Sequence, residues 1–189
     1  MNIKITAIFS ALLLIGIASI LVIVFRGEPS NTGIKVDFGF WDSVTEPKYE
    51  LKKSDDNPEY KDKNNRFSFN YPKDFTVGYF GDTESGETVL VQRSGEKVGF
   101  QIFITQFDEP ASGLTVERIK KEIPDLEVNN PEPVNWEGEI IGLSFTGSNS
   151  FSDQGRDIWI VKNGYLYQMT TYLSEQKLLQ QVLSTWKFL

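Results

Sequence analysis

Neither cysteine nor histidine occurs anywhere in the 189 residues. Lack of cysteine excludes disulfides, thiolate metal ligands, a thiol nucleophile and the lipid-bearing residue of a bacterial lipoprotein. Lack of histidine removes the commonest general base and the commonest zinc ligand. No GxGxxG or Walker pattern is present, so no loop is built to cradle a phosphate. Basic character is scarce as well. Residues 26–189 carry 18 Lys and Arg against 26 Asp and Glu, a net charge of −8, because Lys4 is the one charged side chain that precedes them. Such a domain is repelled by nucleic acid and by anionic headgroups, and neither is expected as its partner. No catalytic residue, cofactor or metal is expected from this inventory.

What the chain does have is one long apolar run. From Ile5 to Phe25 the sequence ITAIFSALLLIGIASILVIVF contains no charge and no proline. As a helix rising about 1.5 Å per residue, it reaches roughly 30 Å, the thickness of a hydrocarbon core. The expectation is a signal-anchor transmembrane helix over residues 1–26. Cleavage as a signal peptide after Ala18 is the competing reading, but it would leave a free apolar tail from Ser19 to Phe25 in water. Lys4 lies on one side of the run and Arg26 and Lys35 on the other, close to a tie in positive charge. The short basic head ahead of the run favours a cytoplasmic amino terminus and an extracytoplasmic domain at the cell membrane.

Residues 27–65 read as a polar linker, rich in charge, Asn and Pro. The apolar group Phe38, Phe40 and Trp41 interrupts it. Three roles fit that group: an aromatic belt at the headgroups, an edge strand added to the domain, or a partner-binding segment.

A folded domain is expected over residues 66–189. Phe67, Phe69 and Tyr71 alternate with Ser68 and Asn70 as in a half-buried strand, and a short strand is expected over 76–80. Two further strands, 87–93 and 97–107, flank Ser94-Gly95-Glu96, a hairpin connection. Thr115 is placed to cap a helix whose apolar stripe is Val116, Ile119 and Ile123, and Pro124 stops it. Pro131 and Pro133 keep the next connection extended, with a brief strand over 134–136. Residues 139–146, 156–162 and 165–173 read as three consecutive antiparallel strands, the last two joined by the hairpin dipeptide Asn163-Gly164. Ser174 is expected to cap a helix over 175–183, and a last strand is expected over 185–188.

The opening strand FSFNYP, the run NGYLYQMTTY and the terminal VLSTWKFL, in this order of elements, resemble the PsbP-like fold. That group is named after an extrinsic protein of the photosynthetic oxygen-evolving complex and includes many anchored bacterial envelope proteins. The resemblance spans residues 66–189 and implies an α+β domain, an antiparallel sheet with helices packed on it in an α-β-α arrangement. It also implies binding or assembly work rather than catalysis. A metal role that depends on histidine does not carry over to this chain.

Ser94-Gly-Glu-Lys97 and Ser174-Glu-Gln-Lys177, with Ser152-Asp-Gln154 and Lys162-Asn-Gly164, mimic the signatures of penicillin-recognising serine enzymes. Ser94 falls in an expected turn and Ser174 at an expected helix cap, so ordinary structural jobs account for both. The carboxylate pairs Glu137/Glu139 and Asp153/Asp157 read as solvated charge. One loop stands apart: residues 147–155 form a long polar connection carrying Phe151, Asp153 and, just beyond it, Arg156. Trp159 follows on the next strand, its side chain opposite Ile158 and Ile160, so that it either meets a helix or is exposed, and in a sheet covered on both sides the packed reading wins. Phe151, Asp153, Arg156 and Trp159 are therefore the candidate partner-binding residues. The function expected is protein binding or complex assembly by an anchored envelope domain. The alternatives are a carrier of small apolar ligands and, last, a hydrolase.

Overall fold

A computed structural model of the protein describes residues 57–82, 86–96, 98–149 and 152–189. The run from Ile5 to Phe25 and the aromatic group at residues 38–41 lie outside the described residues. Among the described residues no helix is long and apolar enough to cross a membrane.

Two antiparallel sheets form the frame. The small one has β1 (Glu59–Lys61), β2 (Phe67–Asn70) and β10 (Lys187–Phe188), with β2 in the middle. The large one has seven strands in the order β3 (Phe75–Asp82), β4 (Gly86–Arg93), β5 (Gly99–Gln106), β9 (Tyr165–Tyr172), β8 (Ser152–Lys162), β7 (Glu139–Asn149) and β6 (Glu127–Trp136). Helix α1 (Val116–Glu122) follows β5, and α2 (Gln176–Leu183) follows β9.

Alternation along the strands gives the large sheet two apolar faces. Its inner face carries Val89, Val91, Phe100, Ile102, Ile104, Ile158, Ile160, Tyr167 and Met169, and is covered by α2 and the small sheet. Phe67 and Phe69 of β2 stack on Trp186 with ring centroids 4.4 and 5.5 Å apart, so this layer is aromatic. The outer face carries Phe145, Trp159, Val161 and Leu166, which meet Leu114, Ile119 and Leu126 from α1 and its flanks. Helices thus pack on both faces of an antiparallel sheet, in agreement with the α+β expectation.

Local signals explain several boundaries. Thr115 caps α1, its hydroxyl accepting from the Arg118 amide at 3.2 Å. Asn163 and Gly164 take φ of +52° and +78°, as a type I′ hairpin requires. In β7 the pairing passes from Gly142 opposite Val134 to Ile140 opposite Asn135. Ile141 is therefore an extra residue, a bulge that turns it into the core and leaves Ile140 62% exposed.

Four expectations need correction. Folded structure reaches upstream of Arg66, into the stretch read as linker: β1 pairs with β2 through Tyr60 opposite Phe69. The Pro131/Pro133 connection is part of the ten-residue β6. The polar stretch 147–155 is mostly strand, since β7 continues to Asn149 and β8 starts at Ser152. Ser174 does not cap α2: it lies in a 3-10 turn, its hydroxyl donates to Glu175 Oε1 at 3.4 Å, and the N-cap position is Glu175.

Candidate interaction surface

The four residues singled out from the sequence do not form one site. Phe151 lies outside the described residues, as does the side chain of Asp153. Arg156 and Trp159 are three apart on β8 and therefore point to opposite faces. Arg156 points inward, where Nε and Nη2 donate to Gln176 Oε1 at 3.4 and 3.3 Å and Nη1 donates to Ser144 Oγ at 3.4 Å. Burial lowers its pKa, and Glu132 and Asp157 oppose that shift. Its work is to tie β7 and β8 to the start of α2. Trp159 points outward but is only 2% exposed, packed beside Phe145 with ring centroids 6.1 Å apart. It meets the helix layer, so it is removed from any recognition surface.

Asp157 neighbours both and behaves differently. It is buried on the outer face, and desolvation raises its pKa to about 6 despite the Thr170 hydroxyl donating to Oδ1 at 2.7 Å and despite Arg156 nearby. Gly147 makes the space: a Cβ there would come within 2.7 Å of Asp157 Oδ2.

A second buried polar group escaped the sequence reading. Arg66 sits between two carboxylates, its Nε donating to Asp62 Oδ2 at 2.8 Å and its Nη2 to Asp62 Oδ1 at 3.0 Å and also to Glu87 Oε2. The side chains of Arg66, Asp62 and Glu87 are 9%, 0% and 1% exposed. Asp62 also accepts from the amides of Asn64 and Arg66, both at 3.2 Å, which fixes the turn between β1 and β2. Asn64 donates from Nδ2 to Glu87 Oε1 at 3.1 Å. Burial alone would lower the Arg66 pKa, but the bonds to Asp62 and Glu87 outweigh it and hold the guanidinium above its usual range. This arrangement clamps the turn to β4 and has no open position for a substrate. Ser94 and Ser174 are both exposed, as are Glu137 and Glu139. Among the described residues no group of three or more carboxylates is placed to hold a metal ion.

The surface that stands out is the half of the outer face that α1 leaves bare. Phe80 of β3, Thr88, Leu90 and Gln92 of β4, and Gln101, Phe103 and Thr105 of β5 project there, and beside them stand Gln168 and Thr170 of β9. All are half-buried except Phe80, which is 45% exposed. None of these side chains is charged, although the chain around them is strongly acidic. The signal was present in the sequence as TVLVQ and QIFIT, strands whose second face is neither charged nor fully apolar.

No family model matches the chain, and no curated protein matches it. Among solved structures, it is similar to the solution structure of cyanobacterial PsbP (CyanoP) from Synechocystis sp. PCC 6803, with a TM-score of 0.50 and 16% identity over 70% of this chain and 92% of that one. At that identity the likeness concerns architecture, and it establishes a PsbP-like fold.

Proposed function

We propose, taking the PsbP-like fold as premise, that this is a single-pass envelope protein whose extracytoplasmic domain binds a protein partner or helps assemble a larger complex. The observation that carries the reading is the bare, uncharged half of the outer face around Phe80, Leu90 and Phe103. A neutral, partly apolar patch on an acidic domain suits another protein and suits neither nucleic acid nor an anionic bilayer. The run from Ile5 to Phe25 supplies the anchor, and the absence of histidine and cysteine supports a binding role over catalysis. Exposure of Ser94 and Ser174 weighs against a serine hydrolase, which needs its nucleophile in a cleft with its base.

A second reading is a carrier of a small, largely apolar ligand between the sheet and α2. The hydroxyl of Tyr167 and the indole Nε1 of Trp186 favour it, both buried with no hydrogen-bond partner among the described residues. The ring stack of Phe67, Phe69 and Trp186 disfavours it by filling that layer.

The test is recovery of partners from detergent-solubilised membranes with the intact chain and with Phe80→Asp. A specific protein retained by the wild type should fall about tenfold or more with the variant, in line with loss of a central interface anchor, while its unfolding midpoint stays put. Recovery of no specific protein, or equal recovery with both chains, overturns the reading.

A further inference from the structure

Asp157 stands on the seam between the covered and the bare halves of the outer face. Across to β7 it pairs with Phe145, which packs with α1 and its flanks, and across to β9 with Thr170, which belongs to the bare half. Its carboxyl is buried and holds one side-chain hydrogen bond, from the Thr170 hydroxyl to Oδ1. The surroundings of Oδ2 are different. A Cβ on Gly147 would stand 2.7 Å from Oδ2, 3.2 Å from Leu126 Cδ1 and 3.3 Å from the Glu127 carbonyl oxygen, so an aliphatic group and an acceptor crowd this side of the carboxyl. A carboxylate placed there loses its water and gains one donor in exchange, whereas the protonated acid suits both neighbours. Desolvation accordingly raises its pKa to about 6. The charges around it do not offset this. Arg156 lies on the inner side of the same strand, Asp125 is exposed, and Glu127 is exposed and accepts from Ser148 Oγ at 2.8 Å. On α1, Arg118 pairs with Glu122 at 2.7 Å, and Lys120 and Lys121 are exposed. From β7 and β9 the neighbours are Phe145, Gly147 and Thr170, none of them charged.

We infer that Asp157 is a proton-operated latch on the α1 cover: protonated, it seats Leu126 and keeps the cover shut; ionised, it lets this flank open locally and bare Phe145 and Trp159 beside the uncovered half. The cover is built to move as a piece. Helix α1 has seven residues, too few to hold by itself, and it rests on the sheet through Leu114, Ile119 and Leu126. Leu126 is tied back to the helix, since its amide donates to the Ile123 carbonyl at 3.1 Å and the Ile123 amide to the Ile119 carbonyl at 2.9 Å. Water drawn to Oδ2 must displace Leu126, and these bonds carry the displacement into the last turn of α1. On opening, the carboxyl gives its proton to solvent and returns to its ordinary pKa of 3.8. Opening is therefore rarest below about pH 4, rises as pH climbs toward 6 and levels off above it, by about a hundredfold in all. Acid closes the cover and neutral pH loosens it. The inference rests on the fold and stands apart from the partner reading. Its consequence is that the apolar part of the outer face is larger near neutral pH than in acid.

The test is amide exchange of the intact protein in detergent micelles between about pH 4 and pH 8, each rate divided by that of the free peptide at the same pH. Protection of the Ile119, Ile123 and Leu126 amides should fall about a hundredfold from pH 4 to pH 7, with little response to low urea, the mark of a local opening. Asp157→Asn stays neutral at every pH and should hold the level of protection seen in acid throughout. Equal protection in the two chains at about pH 7 overturns the inference. So does an effect of Asp157→Asn that appears only in urea-sensitive exchange and equally at the Leu189 amide of the small sheet, because the carboxyl would then act on whole-domain stability alone. Leu126→Ala admits water to Oδ2 in the closed state and should cut the pH dependence to about tenfold or less. An undiminished dependence in that variant rejects Leu126 as the seat of the latch.

Discussion

The two halves of the seven-stranded sheet solve the same problem differently. On the β6–β8 side the outer face is sealed by α1 through Ile119, Phe145 and Trp159, and the edge is blunted by prolines, a bulge and carboxylates. On the β3–β5 side no described residue covers the outer face, and the edge strand is regular and carries no charge from Thr76 to Gly81. Edges left in the second state invite pairing and are normally protected, so the asymmetry separates a structural half from one available for contacts. On the proposed binding role, an acidic chain that keeps its charge off one half of one face would place its contact surface by exclusion as much as by attraction.

The sharpest break in the comparison comes from Trp159 and Phe80, which occupy the same cross-strand row on opposite halves. Trp159→Ala should cost about 3–5 kcal/mol in urea unfolding, the range for deleting a buried large aromatic. Loss comparable to a surface site would show that α1 does not seal its half. Behind the bare half, on the inner face of β4, the counterpart of that packing is ionic. Arg66→Ala strands the buried carboxylates of Asp62 and Glu87 and should cost about 3–5 kcal/mol, with Arg66→Lys recovering only part because it lacks the fork. A midpoint that barely moves would mean that the clamp on β4 is dispensable.

Asp157, near the boundary between the halves, gives a smaller effect with a pH signature. Its folded pKa of about 6 lies above the ordinary 3.8, so the folded state favours the protonated acid. Stability from this group is present below about pH 4 and is lost as pH rises through 6, a penalty on the order of 3 kcal/mol at pH 8. Asp157→Asn should therefore stabilise by about 2–3 kcal/mol at pH 8 and by nearly nothing at pH 4. A gain that does not depend on pH would sink this account. The smallest effect is reserved for Phe80→Ser, expected within about 0.5 kcal/mol of wild type because the residue is 45% exposed at the sheet edge. A large loss there would reveal cover on the bare half.

Much of the architecture was readable because its signals are local. Asn163-Gly164 forced a tight hairpin, Thr115 found its amide, and the alternation in β4, β5 and β9 placed the inner core. The misreadings have physical causes. Pro131 and Pro133 argue against a central strand, but an edge strand tolerates them, and edge position is a property of the assembled sheet. Gly147, Ser148 and Gly155 look like a loop until one sees that Gly147 is needed to seat the Asp157 carboxylate. The short strand Glu59–Lys61 shows one apolar residue, too little for periodicity to register. Arg156 and Trp159 could have been separated from the sequence alone, since an odd spacing on one strand sends two side chains to opposite faces. The Arg66 clamp could not, because its partners lie 4 and 21 residues away and no local pattern links Asp62 to Glu87.

The small sheet carries a lesson about timing. Its middle strand, β2, needs β10 as a neighbour, with Phe67 opposite Phe188, and the Leu189 amide closes on the Arg66 carbonyl at 3.0 Å. Those partners are separated by more than 120 residues, so loop-closure entropy delays this docking, and Trp186 reaches its place against Phe67 and Phe69 only after β1 to β9 and α2 have been made. During synthesis the aromatic layer must therefore wait, half-built, for its keystone ring, and that interval is when a nascent chain of this design is most exposed to proteases and to aggregation.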